Sequence, residues 1–258
     1  MIKTTLYRIT SPKVSRRLRI ALVSDLHDNS PREVIKALVD SHPDIVAVVG
    51  DLTSRLDCAE GDLPPNDTGD AARHAEAFEL LRAASSIAPT YYSLGNHELC
   101  GHYYRQNVGR VCREENLALI KQSGAILLDD RFVDADNGIR VGGLTSGHTN
   151  ADLVPNTEWL RDFCNTDGFK LLLCHHPEYY PNYLKSLDID LILSGHAHGG
   201  QIRLFGRGLY APGQGILPKY TSGVFDQRLV IGRGLANTGG RIPRLFNRRE
   251  LVLIDVDQ

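Results

Sequence analysis

The feature that most constrains this chain is a recurring juncture, a short apolar run that stops abruptly at aspartate, asparagine or histidine. Residues 19–23 run into Ser24-Asp25-Leu26-His27-Asp28, and residues 45–49 run into Gly50-Asp51. Residues 90–94 lead to Gly95-Asn96-His97-Glu98, and residues 170–174 to His175-His176. Residues 191–193 lead to Ser194-Gly195-His196-Ala197-His198-Gly199-Gly200-Gln201. Runs of this length, rich in β-branched residues and bounded by Gly or Pro, read as buried strands. Between the first two lies a helix signal. Ser30 reads as N-cap, Pro31 as the first helical residue and Glu33 as the far side of a capping box, with Val34, Ile35, Leu38 and Val39 at helical spacing. A helix between two strands makes them parallel neighbours, so their carboxyl ends share one edge of a sheet, where α/β folds put ligand sites.

The remaining pattern predicts a polar loop over 57–69 and a helix over 71–86. Residues 125–128, 132–133 and 139–144 follow as strands of a second, partly antiparallel sheet, then a helix over 158–163. Further strands are expected at 202–204, 229–231 and 251–256. Strand and helix alternate early and strands dominate late. The expectation is an α/β protein, a four-layer α/β/β/α sandwich of two mixed sheets flanked by helices. At 258 residues it reads as a single domain over 1–258 with a full core.

Composition narrows the function classes. A formal net charge of −2 provides no electrostatic footprint for nucleic acid or an anionic membrane. Five cysteines, at 58, 100, 112, 164 and 174, form no Cys-x-x-Cys pair and predict reduced thiols. No apolar run approaches the roughly 20 residues that span a bilayer, and Met1 to Thr5 lack the apolar core of a signal peptide. A soluble, cytoplasmic protein is expected.

The junctures collect two aspartates, an asparagine and several histidines. Imidazole with carboxylate and no thiolate suits Zn, Mn, Fe, Co or Ni better than Mg or Ca. The donor number suggests two divalent transition-metal ions. Ions roughly 3.5–4 Å apart clamp both oxygens of an in-line displacement. Such a pair needs a bridging carboxylate, for which Asp51 is the natural candidate.

Asp-x-His, Gly-Asp, Gly-Asn-His-Glu, a lone His and Gly-His-x-His, in this order over residues 25–198, resemble the calcineurin-like metallophosphoesterase superfamily. Residues 199–203, 218–223 and 232–235 also resemble its bacterial YkuE/YaeI-type phosphodiesterase branch. The resemblance implies that Asp25, His27, Asp51 and His198 hold a first metal. Asp51, Asn96, His175 and His196 would hold a second. It implies that a metal-bridging hydroxide attacks phosphorus in line, that His97 assists the leaving oxygen, and that Glu98 orients the His97 ring. Many members carry a second acidic residue where this chain has Ser54, which leaves the contacts of Ser54 and Arg55 with a substrate open.

Other candidates are weaker. His176 reads as a neighbour of the site or a substrate contact, and Cys174 as core packing. Gln201 and Arg203 either touch substrate or shape their loop. Tyr103, Tyr104, Tyr179, Tyr180 and Tyr183 read as packing, with a semi-apolar entrance for a lipid-like or nucleoside substrate as the other reading. Arg241, Arg244, Arg248 and Arg249 read as a solvated face, with phosphate or an anionic surface as the alternative. The expected partner is a small or lipid-linked phosphoester. Diester cleavage leads, on the branch resemblance. A UDP-2,3-diacylglucosamine-type pyrophosphate hydrolase and a catalytically silent metal-binding scaffold are the rivals.

Overall fold

The computed structural model describes residues 2–54, 74–98, 114–147, 154–236, 238–239 and 242–258. The expected loop over 57–69 and the first residues of the expected 71–86 helix fall outside these. Two six-stranded sheets lie face to face. The first contains β1 (Lys3–Thr10), the C-terminal strand Glu250–Asp257, β2 (Leu18–Val23), β3 (Ile45–Val49), β4 (Thr90–Ser93) and β5 (Ile126–Leu127), in that order. Strands β2 to β5 are mutually parallel, whereas the Glu250–Asp257 strand and β1, parallel to each other, run against them.

The second sheet runs from Gly223–Phe225 through Leu229–Ile231 to β9 (Leu191–Ser194), β8 (Phe169–Cys174), β7 (Ile139–Leu144) and β6 (Arg131–Asp134). Its centre is parallel and both edges are antiparallel. Alternation along the strands sends Ile20, Leu22, Ala47 and Val49 inward to meet Val141, Leu171, Leu173 and Leu193 in one shared core.

The opposite faces are covered by helices. Val34 and Leu38 of the helix Arg32–Ser41, with Leu80, Leu81 and Ala84 of the helix Ala75–Ile87, pack on Val23, Val46 and Val48. On the second sheet the cover is thinner. Leu160 and Phe163 of the five-residue helix Leu160–Cys164, with Tyr179, Tyr180 and Leu184, pack on Leu172 and Ile192. The architecture is the four-layer α/β/β/α sandwich. Each fully buried Leu, Ile or Val contributes roughly 1.5–3 kcal/mol of transfer free energy.

Four local expectations need correction. Ile126–Leu127 pairs with β4 in the first sheet and does not join the second. The helix over 32–41 starts one residue late, with Pro31 in the cap position, a residue that offers no side-chain acceptor, and Glu33 binds Arg249 across 2.8 Å. The edge strand β1 was not foreseen, because its sequence alternates polar with half-buried residues, as an edge strand's does. Residues 203–204 join neither large sheet. They pair with Arg207–Gly208 in a small hairpin beyond the end of β9.

Candidate metal centre

The loops that follow β2, β3, β4, β8 and β9 converge at one end of the sandwich. Asp51 sits at the middle. Its Oδ2 lies 3.0 Å from His175 Nε2, 3.8 Å from His97 Nε2 and 4.0 Å from His27 Nε2. Asp25 Oδ1 lies 3.6 Å from His198 Nε2 and 4.0 Å from His175 Nε2. The Nε2 atoms of His27 and His198 are 3.3 Å apart. Donor atoms fall into adjoining sets, each within 4.8 Å: Asp25, His27 and His198; His27, Asp51 and His97; Asp51, His175 and His196. Asn96 lies in the turn beside them, between Gly95 and His97, and Asp51 Oδ1 accepts the His97 backbone N–H at 2.9 Å.

The backbone is bent to achieve this. Asp25, His27, Asp51, His196 and His198 all have φ between 45° and 63°, the left-handed region that L-residues avoid. Strain of about 1–3 kcal/mol per residue persists only where the surroundings determine it, and it gathers at functional sites. Two glycines make the close approach of loops possible. A Cβ on Gly50 would sit 2.5 Å from Gly95 Cα, and a Cβ on Gly95 would collide with the Asp51 carboxylate.

Burial and neighbouring charges shift the site's imidazoles and carboxyls in opposite directions. Burial alone would lower the His175 pKa, but the Asp51 and Asp25 carboxylates outweigh it and hold the ring up at about 10. Against the pull of burial, the rings of His175, His97 and His27 hold the Asp51 carboxyl well below its usual range. Burial pushes His27 down to about 4 and His198 to about 3, and takes His196 well below its ordinary value. Their lone pairs are therefore free at neutral pH, as metal ligation requires. His175 Nδ1 donates to the Val49 carbonyl at 2.7 Å, which turns Nε2 toward Asp51. The buried His176 Nε2 and His198 Nδ1 have no hydrogen-bond partner. Orphaned imidazole nitrogens beside carboxylates, with no thiolate among them, fit a divalent transition metal.

Glu98 does something other than expected. Its carboxylate accepts the backbone N–H groups of Asp51 (2.9 Å), Leu52 (2.8 Å), Thr53 (3.2 Å) and Gly95 (2.7 Å). It does not orient the His97 ring, whose buried Nδ1 has no partner. Adjacent residues send their side chains to different sides of the chain, so Glu98 ties the Asp51 loop to the Asn96 loop instead.

Sequence reasoning missed several neighbours. Glu178 Oε1 lies 3.1 Å from His176 Nδ1 and 3.8 Å from His196 Nε2, forming a further donor set with those rings. Its signal was a carboxylate two residues after His176. Asp28 faces His74 Nδ1 at 2.9 Å and takes the Ser54 N–H at 2.7 Å, so Ser54 is anchored through its backbone. Asn247 donates to the carbonyls of His198 (2.7 Å) and Gln201 (3.0 Å).

His176 packs at a tilt against His196 with ring centres 4.1 Å apart, and burial pushes it down to about 3. Cys174 is core packing, with its thiol pushed up by burial. Arg203 donates to the Gly199 carbonyl at 2.6 Å and Arg244 to that of His198 at 3.3 Å, so both brace the His-x-His loop. Arg248 is exposed, and Arg249 is the partner of Glu33. Tyr179 and Tyr180 are buried, the first accepting the Gly147 N–H and the second donating to Asp226. Those two rings are packing and line no entrance, whereas Tyr183 is partly exposed. Arg55, Tyr103, Tyr104 and Arg241 lie outside the described residues.

Residues 18–200 match the family model described as calcineurin-like phosphoesterase. An uncharacterized metallophosphoesterase of Campylobacter jejuni is 28% identical over 255 residues, covering 95% of this chain and 60% of that protein. The chain thus spans about three fifths of that relative's length. The uncharacterized protein YpbG of Bacillus subtilis is 26% identical over 83% of this chain and 73% of its own. A crystal structure of a Thermus thermophilus protein superposes with a TM-score of 0.46 at 16% identity, over 69% of this chain and 81% of that one.

Proposed function

This chain belongs to the calcineurin-like phosphoesterases, and from that premise we propose that it is a metal-dependent phosphoester hydrolase, a dinuclear phosphodiesterase acting as a single domain in the cytoplasm. Asp25, His27, Asp51 and His198 hold one divalent ion, and Asp51, Asn96, His175 and His196 the other. Bound there, the ions supply Lewis acidity toward the phosphoryl oxygens and acidify water at neutral pH.

The protein's own groups do the rest. Asp51 sets the spacing by turning one carboxylate to both donor sets. Glu98 holds the loops of both sets at a fixed separation through four backbone N–H groups. His97 is not needed as a ligand. Its side chain is about a quarter exposed, against 2% for Asp51, so it faces the side from which substrate arrives. From there Nε2 delivers a proton to the departing oxygen, which general acid catalysis makes worth about 10²–10⁴-fold.

The observation that carries this reading is the central place of Asp51, within 3.0–4.0 Å of imidazoles from three different loops. The test is metal content by mass spectrometry, with hydrolysis of bis-p-nitrophenyl phosphate, in wild type, Asp51→Asn and His97→Ala. Two metals per chain in wild type and His97→Ala, fewer in Asp51→Asn, and hydrolysis lost in both variants is the expected result. Full activity in Asp51→Asn would sink the proposal. Near-zero turnover in metal-loaded wild type on every phosphoester tried would leave the silent scaffold.

A further inference from the structure

Beyond the His-x-His loop the molecule carries an apolar patch that the hydrolysis does not use. Large hydrophobic side chains that are more than two thirds exposed number four among the described residues: Phe205, Ile216, Leu217 and Phe246. Phe205 is fully exposed, Ile216 and Phe246 are 82% exposed and Leu217 is 70% exposed.

They sit together. Phe205-Gly206 is the tip of the hairpin that pairs Arg203–Leu204 with Arg207–Gly208. Leu245 forms a parallel bridge with Ile202, so Phe246 follows beside that hairpin and runs in the same direction. Leu217 donates its N–H to the Leu209 carbonyl at 2.9 Å, and it faces Gly206 and Arg207 across a cavity of about 360 Å³.

The backbone sharpens the case. Phe205, Leu217 and Phe246 have φ of 49°, 52° and 55°, a region that glycine or asparagine occupies at little cost and a bulky residue does not. These tips therefore bear both backbone strain and exposure of an apolar side chain to water. Neither helps the fold of the isolated chain.

The surroundings are basic. From residue 191 to residue 249 the sequence holds one acidic residue, Asp226, and nine lysines and arginines, although the whole chain is at −2. Arg203, Arg207 and Lys219 line the cavity between the tips, together with Thr221 and Ser222. Apolar tips within a basic surround match the interface of an anionic bilayer, where side chains enter the acyl boundary and cations meet the headgroups.

We propose that this face docks the protein on an anionic phospholipid bilayer, with Phe205, Leu217 and Phe246 inserted and Arg207 and Lys219 against headgroup phosphates. The root of the patch is the metal-centre loop itself. Gly200 accepts the Leu209 N–H at 3.1 Å, and Gln201 accepts that of Leu245 at 3.3 Å. Docking thus brings the centre to the membrane surface and makes a lipid-borne phosphoester its substrate class, a consequence that rests on the phosphoesterase reading above, whereas docking itself does not.

The test is flotation of the metal-loaded protein with phosphatidylcholine vesicles, with and without phosphatidylglycerol. The variants are the triple Phe205→Ser, Leu217→Ser, Phe246→Ser and the double Arg207→Glu, Lys219→Glu. Val154→Ser, an exposed apolar residue outside the patch, is the control. Wild type and control are expected to float only with phosphatidylglycerol, and less at high salt. The triple variant loses at least about tenfold in partitioning and the double variant a similar amount, each with an unchanged thermal melt. Equal flotation of wild type and triple variant would overturn the proposal. So would no flotation of wild type, or a concentration-dependent dimer that the triple variant abolishes, which would assign the face to a second copy. Flotation without turnover of any lipid phosphoester would leave docking standing and remove the substrate consequence.

Discussion

The metal centre and the apolar tips are built on the same kind of backbone and give opposite returns. At the centre, Asp25, His27, Asp51, His196 and His198 take left-handed φ values, and their side chains are buried among one another. At the tips, Phe205, Leu217 and Phe246 take the same conformation and hold their side chains in water. Strain at the centre is offset within the chain, by hydrogen bonds and by cation binding. Strain at the tips is offset by no side-chain burial among the described residues. Positive φ in a bulky residue thus marks a functional position in both places, and burial tells which kind.

The largest effect that could break the comparison is at Asp51. Asp51→Asn keeps the shape of the side chain and removes its charge, and hydrolysis is expected to fall by about 10³-fold or more as metal is lost. Elemental analysis beside the rate would separate loss of metal from loss of a catalytic group.

Next is Glu98→Gln. The carboxylate is buried and accepts four backbone N–H groups, and an amide presents two donors where only acceptors fit. The expected cost is about 2–4 kcal/mol, seen as a fall in melting temperature. Metal affinity should fall in parallel, because both loops lose their tie. A variant with wild-type stability and a displaced His97 proton-transfer profile would restore the role in orienting His97.

Acid should weaken the centre before the tips. The depressed pKa values of His27 (about 4), His176 (about 3) and His198 (about 3) mean that unfolding lets these rings take protons below their ordinary 6.5. Their contribution is fully present above that value and is lost as pH falls toward the folded values. His175, held up at about 10, opposes this only near pH 6.5, where the unfolded ring is half protonated, and adds no slope lower down, once both states are protonated. Asp25 and Glu98, raised by burial, oppose the trend. Melting of the metal-free protein is expected to drop between pH 6.5 and 4. A rise over that range would mean that the carboxyls dominate.

The smallest effect sharpens the contrast. Phe205→Gly relieves a left-handed residue at a hairpin tip and removes an exposed ring, so stability should change by no more than about 1 kcal/mol in either direction. A similar relief at His198 would come with loss of a ligand. Chemical denaturation of the two variants measures the difference.

Much of the centre was legible because its signal is local. An apolar run that ends in Asp or His states both the strand and its direction, and Asp25, Asp51, His175, His196 and His198 follow from four such ends. For Glu98 the resemblance implied contact with the His97 ring, whereas its carboxylate reaches the Asp51 loop 46 to 47 residues away. Glu178 and Asn247 stand on no strand end, so only their positions in space reveal them. The tips were invisible for a related reason. Phe205, Leu217 and Phe246 read as ordinary apolar residues near short strands, and a sequence does not state whether such a residue faces core or water.

By itself the sequence determined the strand ends, the chemistry of the donors and the layered α/β class, because each depends on residue type and spacing over a few positions. Tertiary structure alone decided that Glu98 binds loops together, that Glu178 and Asn247 adjoin the centre, and that the apolar tips share one basic face. These are relations between segments far apart along the chain. They arise from the order of strands in two sheets, which the energetics of one shared core selects and no local pattern encodes.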